Sequence, residues 1–152
     1  MIEFLRHESA LPYNPNDKSS IIEYAQKLTQ KSLRNTCTKE ADSLKNNKGA
    51  FGQLVENLYF FIKTNNSPEP DFSSVGMELK TAGLNKKKSQ WRAKESMMLS
   101  SINYHNIIKE KFSKSSVINK SGCLLFIFYE YKKSILPLDL IIKVVGSWTF
   151  SD

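Results

Sequence analysis

The chain has 152 residues, enough for one domain with a real core and too few for two full-sized ones. With 40% hydrophobic and 11% aromatic residues it is globular in composition rather than disordered, and no apolar run approaches the ~20 residues that a membrane span needs. Its 22 Lys and Arg against 15 Asp and Glu give +7. Residues 1–79 hold nine basic and ten acidic side chains and residues 80–152 hold thirteen and five, a +8 half that suits a polyanionic partner as well as it suits a plain solvated face.

In chain order, the first 16 residues form an irregular lead-in with Pro12 and Pro15, carrying Glu3 and Glu8 and no apolar stretch of the kind found in a signal peptide. Ser20-Ile-Ile-Glu23 has capping-box spacing, and Ile21, Ala25 and Leu28 continue it as a helix to about Lys31. Residues 34–48 read as a polar loop. Phe51, Leu54, Val55, Leu58 and Ile62 then recur at helical intervals, predicting a second amphipathic helix from Gly49 to Ile62 that the Asn65–Pro70 stretch ends.

From Val75 the period becomes two, the mark of a strand. Residues 83–94 read as a basic loop around Trp91, residues 95–102 as either strand or helix with strand the favoured reading, and Asn103–Phe112 as a helix. Gly122–Tyr131 and Leu138–Val145 read as strands. This order implies an α/β (α+β) domain around a central mixed sheet flanked by helices. Cys37 and Cys123 lie in unlike settings with no zinc-ligand spacing, so both are expected as thiols in a reducing, cytoplasmic compartment. His7 and His105 have no partner spacing and receive no role. The large apolar side chains that close the chain just after a strand are what a fragment of a longer protein would show.

The sharpest feature is the run Pro70-Asp71-Phe-Ser-Ser-Val-Gly-Met-Glu78-Leu-Lys80. Strand alternation puts Glu78 and Lys80 on one face, roughly 7 Å apart at Cα, with Asp71 beyond a turn able to return it to the same spot. Two carboxylates so close repel unless a divalent cation joins them, and oxygen ligands of this type suit Mg²⁺. A lysine beside that cation orients the attacking water or offsets charge growing on a phosphate, which are the parts phosphodiester hydrolysis requires. Alone, the Asp-x6-Glu-x-Lys pattern is weak, and a strand ending in Glu-Leu-Lys is more often a solvated edge. Glu56 on the preceding helix, the basic loop and Lys120 before the strongest strand shift that balance.

These residues sit in a longer set of motifs. Lys48-Gly-Ala-Phe-Gly52-Gln-Leu-Val-Glu56, Glu69-Pro-Asp71-Phe and Val75-Gly-Met-Glu78-Leu-Lys80-Thr resemble the MutH family of PD-(D/E)xK nucleases, over about Ser19 to Val145. The stretches Ala93–Tyr104 and Phe128–Tyr131 are closer to the N-terminal catalytic domain of the family's type II restriction endonuclease, which cuts at GATC, than to its repair enzyme. The resemblance implies a restriction-endonuclease-like core with Asp71 and Glu78 as metal-binding carboxylates and the Leu79 carbonyl as an extra ligand. Lys80 would be the signature lysine beside the water, Glu56 the additional acidic residue that helps hold metal and water, and Lys120 a second catalytic lysine. It further implies Mg²⁺ as cofactor with Mn²⁺ as substitute, double-stranded DNA as partner, and dimerisation of the full-length protein on DNA. Residues 1–152 would then be the catalytic domain, with the base-reading portion elsewhere.

Following the catalytic strand, Lys86, Lys87, Lys88, Arg92 and Lys94 are expected to meet the duplex backbone, since phosphate contacts need only charge. Trp91 would stack on sugar or base, or simply pack. Gly49 and Gly52 would cradle a phosphate or, more simply, let the helix pack closely. Two rival readings stand beside the Mg²⁺-dependent restriction endonuclease: a non-cleaving DNA-binding module, and a methylation-directed nicking enzyme of mismatch repair.

Overall fold

The computed structural model describes residues 4–37, 51–64, 67–102 and 104–150. Lys48 and Gly49 of the helix motif, and most of the polar stretch 34–48, lie outside the described residues.

Helix α1 runs Lys18–Gln26 and is capped by Asp17, whose extended backbone lets its carboxylate accept from the Ser19 amide. The expected capping box is thus displaced. Ser20 lies inside the helix, and its hydroxyl accepts from the Asn14 amide at 2.9 Å, pinning the lead-in to α1. A short α2, Leu33–Thr36, follows and is capped by Ser32.

The second amphipathic segment is α-helical only over α3, Phe51–Leu54, and then widens into a π turn, Val55–Tyr59, closed by the Phe60 amide on the Val55 carbonyl. The predicted helix to Ile62 stops early because Phe61 takes a left-handed φ of 58° and Ile62 pairs antiparallel with Phe4. Ile62 is buried by strand pairing, not by the helical face that its spacing suggested.

Four strands follow: β1, Glu78–Lys87; β2, Gln90–Ala93; β3, Cys123–Glu130; and β4, Ile142–Thr149. They form one mixed sheet in the order β2-β1-β3-β4, with β1 and β3 parallel and the other pairs antiparallel. A parallel pair needs a crossover, and residues 94–122 supply it, through α4 (Tyr104–Ile107) and α5 (Ser116–Ser121).

Four expectations change here. The basic loop 83–94 is a hairpin, the end of β1 turning through Lys88 into β2. Lysines on both sides of an exposed ribbon leave no apolar alternation to read. Residues 95–102 form no strand, since the neighbour of β1 along that edge is β2. The 103–112 helix shrinks to α4, with Asn103 outside the described residues. The last strand begins at Ile142 because Pro137–Asp139 forms a 3₁₀ turn.

One face of the sheet (Leu79, Cys123, Leu125, Ile127 and Ile142) buries against Ile21, Ala25, Leu28, Leu33, Phe51 and Val55. Gly52 lets α3 press on β1; a Cβ there would stand 3.1 Å from Thr81 Oγ1, so of the two roles foreseen for this glycine the structure supports close packing. An aromatic layer of Tyr13, Tyr24, Tyr59, Phe60 and Phe72 stacks beside the π turn. The Tyr13 hydroxyl donates to the Phe60 carbonyl and Tyr59 to the Tyr24 carbonyl, tying the lead-in and α1 to the end of that turn. Among the described residues no helix is long and apolar enough to cross a membrane.

Just before β1 the chain doubles back. Phe72 and Met77 exchange both backbone hydrogen bonds around the 3₁₀ turn Ser73–Val75, and Gly76 closes it at φ +63°. A Cβ at Gly76 would meet open space, so the cost of Gly76→Ala is backbone strain alone. We expect Gly76→Ala to lower unfolding stability by about 1 kcal/mol in urea titrations. An unchanged midpoint would show that the turn tolerates another conformation.

Candidate active site

The doubled-back turn brings the acidic pair together. The Asp71 amide donates to Glu78 Oε2 at 3.2 Å, and the Leu79 amide donates to Asp71 Oδ2 at 2.9 Å. Each carboxylate is therefore held by a backbone N–H next to the other. Glu78 is buried on the sheet face opposite the main core, in register with Leu124, while Lys80 follows on the same face in register with Phe126. Leu79 turns its side chain into the core, and its amide is the group that meets the pair.

Cations face this spot from two elements. Lys80 Nζ lies 2.9 Å from Glu78 Oε1, and Lys120 Nζ, from α5, lies 4.0 Å from the same oxygen. Lys120 also donates to the Ser67 carbonyl at 3.0 Å, which fixes its reach. From the π turn, Glu56 accepts a hydrogen bond from Thr64 Oγ1 at 3.0 Å.

The electrostatics match this crowding. Burial, then the Glu78 charge, push the Asp71 carboxyl up to about 7, with the Leu79 amide opposing and Glu56 adding to the rise. Burial also raises Glu56, against the Thr64 hydrogen bond, while Glu78 raises it further and Lys80 and Lys120 pull it down. Glu56 thus feels the same charges as the pair. Among the described residues no three His, Cys, Asp or Glu side chains form a ready metal site. Asp71 and Glu78 meet directly, while Glu56 is secured separately by Thr64.

The basic residues divide in two. Lys86, Lys87, Lys88 and Arg92 are exposed on the hairpin, with Lys86 and Lys143 each 5.6 Å from the Trp91 ring centre. Lys94 instead lies over the Tyr131 ring and pairs with Glu95.

Two supports escaped the sequence pattern, Thr64 behind Glu56 and the Ser67 carbonyl behind Lys120. Neither has a periodic relation to its client, because the chain reverses at Phe61 before reaching them. A hydroxyl eight residues after a motif glutamate carries no signal until that reversal is known.

The family model for the DNA mismatch repair enzyme MutH matches residues 60–152, more than half of the chain. The chain belongs to the MutH family. Its α+β architecture, with a mixed sheet flanked by helices, is that of a MutH or restriction-endonuclease-like fold. The chain is also 34% identical over 103 residues to the type II restriction enzyme Sau3AI of Staphylococcus aureus, a match covering 67% of this chain and 21% of that protein. It thus spans about a fifth of the length of this curated relative. Asp71, Glu78, Lys80 and Lys120 fall within the family match, and Glu56 lies just before it.

A raised Asp71 fixes the sign of a pH effect. The folded chain keeps a proton that the unfolded chain releases near 3.8, so this group's contribution to metal-free stability is lost as pH rises from about 4 to about 7. Thermal melts in a chelating buffer should fall from about pH 5 to about pH 8, and Asp71→Asn should flatten that fall. An equal fall in the variant would place the proton elsewhere.

Proposed function

We propose that this chain is the catalytic domain of a Mg²⁺-dependent DNA endonuclease of the restriction type, acting at GATC. The observation that carries the reading is the meeting of Asp71 and Glu78 beside Lys80. An all-oxygen donor set that burial and mutual repulsion hold uncomfortably together is one that a hard dication relieves. Asp71 and Glu78 would hold the ion, with Glu56 and the Leu79 carbonyl as further oxygens. When bound, Mg²⁺ supplies Lewis acidity toward a phosphodiester and a water of lowered pKa. Mn²⁺ offers the same ligand preference and serves as the substitute.

The chain's own residues do the remaining work. Lys80, held on Glu78, keeps a positive charge where the attacking water and the phosphate oxygens meet. Lys120, from α5, brings a second ammonium to the same Glu78 oxygen and is fixed by the Ser67 carbonyl. The hairpin carries Lys86 and Lys87 at the end of β1, Lys88 in the turn and Arg92 on β2. Lys87 is seven residues beyond Lys80, about 23 Å at strand rise, or roughly seven base-pair steps of duplex. Phosphates well away from the cut are thus within its reach, while base reading belongs to a portion of the longer enzyme that dimerises on DNA.

Calorimetric titration with Mn²⁺ should show binding by the wild-type chain and its loss in Asp71→Asn. In the full-length enzyme, cleavage of a GATC-containing duplex should fall at least about 100-fold in Asp71→Asn, Glu78→Gln or Lys80→Ala, with duplex binding retained. Cutting at the wild-type rate by any of these would overturn the assignment. Replacing Lys86, Lys87 and Lys88 together by Ala should reduce the slope of log K against log salt by about three.

The description of the matching family favours a second reading, a nicking enzyme of mismatch repair. Hemimethylated and fully methylated duplexes separate the two, because a repair nickase must discriminate between them.

A further inference from the structure

Glu56 stands apart from the pair it would join, because Thr64 occupies its carboxylate: the Thr64 hydroxyl lies 3.0 Å from Glu56 Oε2. The same hydroxyl lies 3.0 Å from Asn57 Oδ1, on the next residue of the π turn. The Thr64 amide also donates to Asn57 Oδ1, at 3.2 Å. That backbone N–H fixes which way the Asn57 amide faces, since an NH₂ group in place of the oxygen would set donor against donor. Both neighbours of the hydroxyl are therefore acceptors, and a threonine has one proton to share between them. The surroundings leave Glu56 room to turn. Thr64 is exposed, Glu56 and Asn57 are half-buried, and Glu56 and Lys80 line one space of about 310 Å³ along β1, bordered by Glu95 and Met98.

We infer that Thr64 and Asn57 form a release latch for Glu56. In the metal-free chain the Thr64 hydroxyl donates to Glu56 and holds it off the Asp71–Glu78 pair. When a dication binds at that pair, Glu56 turns to it and the hydroxyl rotates its proton to Asn57 Oδ1. The donor is never left without an acceptor, so release costs only the difference between a charged and a neutral partner. This rests on the reading of Asp71, Glu78 and Glu56 as metal ligands given above. Thr64 is a positioning residue: it acts through Glu56 and touches neither ion nor substrate.

A support that merely steadied Glu56 would weaken metal binding when removed, whereas a latch strengthens it. Calorimetric titration with Mn²⁺, at one pH and without DNA, separates the two. Thr64→Val keeps the shape and drops the hydroxyl, and should bind Mn²⁺ about threefold tighter than the wild type, since nothing then competes for Glu56. Thr64→Ser retains the proton and should match the wild type. Asn57→Ala removes the second acceptor and should weaken Mn²⁺ binding about threefold, because release then leaves the hydroxyl without its protein partner. Glu56→Ala should weaken binding about tenfold or more, the loss of one anionic ligand. Adding Thr64→Val to Glu56→Ala should change nothing further, because the hydroxyl acts only through that carboxylate.

A Thr64→Val chain that binds Mn²⁺ no tighter than the wild type, or whose gain persists without Glu56, would overturn the latch. Wild-type affinity in Asn57→Ala would remove the handover to Asn57 and with it the latch as proposed. Undiminished affinity in Glu56→Ala would take Glu56 out of the ligand set, and the latch with it, while leaving Asp71 and Glu78 in place. A wild-type chain that binds no Mn²⁺ would remove the metal reading itself.

Discussion

Two carboxylates held against each other in a half-enclosed place are the constraint around which this domain is arranged. Asp71 and Glu78 are seven residues apart; Glu78 is bound by the Asp71 amide, and Asp71 by the Leu79 amide just after Glu78. Like charges at such range cost free energy in a medium less polar than water. The structure meets part of that cost with Lys80 and Lys120 and leaves the rest as a raised Asp71. The net tendency of the site is to attract positive charge, seen in the proton that Asp71 retains and in the two ammonium groups beside Glu78.

The fold supplies the rigidity this arrangement needs. β1 pairs with β3 over seven residues beginning at Glu78, so the acidic residue is anchored in the sheet interior rather than on a free loop. Asp71 is brought in by a tight turn whose two bridge residues, Phe72 and Met77, are both buried. Phe72 also packs on Phe60 and Tyr13, so the turn, the end of the π turn and the N-terminal lead-in share one aromatic layer. The π turn that presents Glu56 is held there by the Tyr13 hydroxyl. A lead-in that looks irregular in sequence therefore helps to position the site.

Much of the site was legible before the structure because its residues lie within one short strand-and-turn motif. Period-two alternation is enough to place Glu78 and Lys80 on one face, and Asp71 needs only a reversal within five residues. Lys120 was legible through its place before the aromatic β3. Its anchor on Ser67, like that of Glu56 on Thr64, was not, because each joins segments whose approach depends on the left-handed Phe61 and on the crossover. The hairpin at 83–94 was illegible for another reason: a ribbon wet on both sides has no burial pattern to imprint on its sequence.

Local chemistry along the chain settles the strand-forming tendency of β1 and β3, the helical start at α1, the cationic second half and the acidic pair with its lysine. These depend on neighbours within a few residues, where sterics and alternation act directly. Long-range packing alone decides where α3 widens into a π turn, which edge of β1 takes the hairpin, and that residues 95–101 wall a pocket instead of joining the sheet. Those outcomes turn on competition for buried area between segments distant in sequence, and no single segment carries the result of that competition.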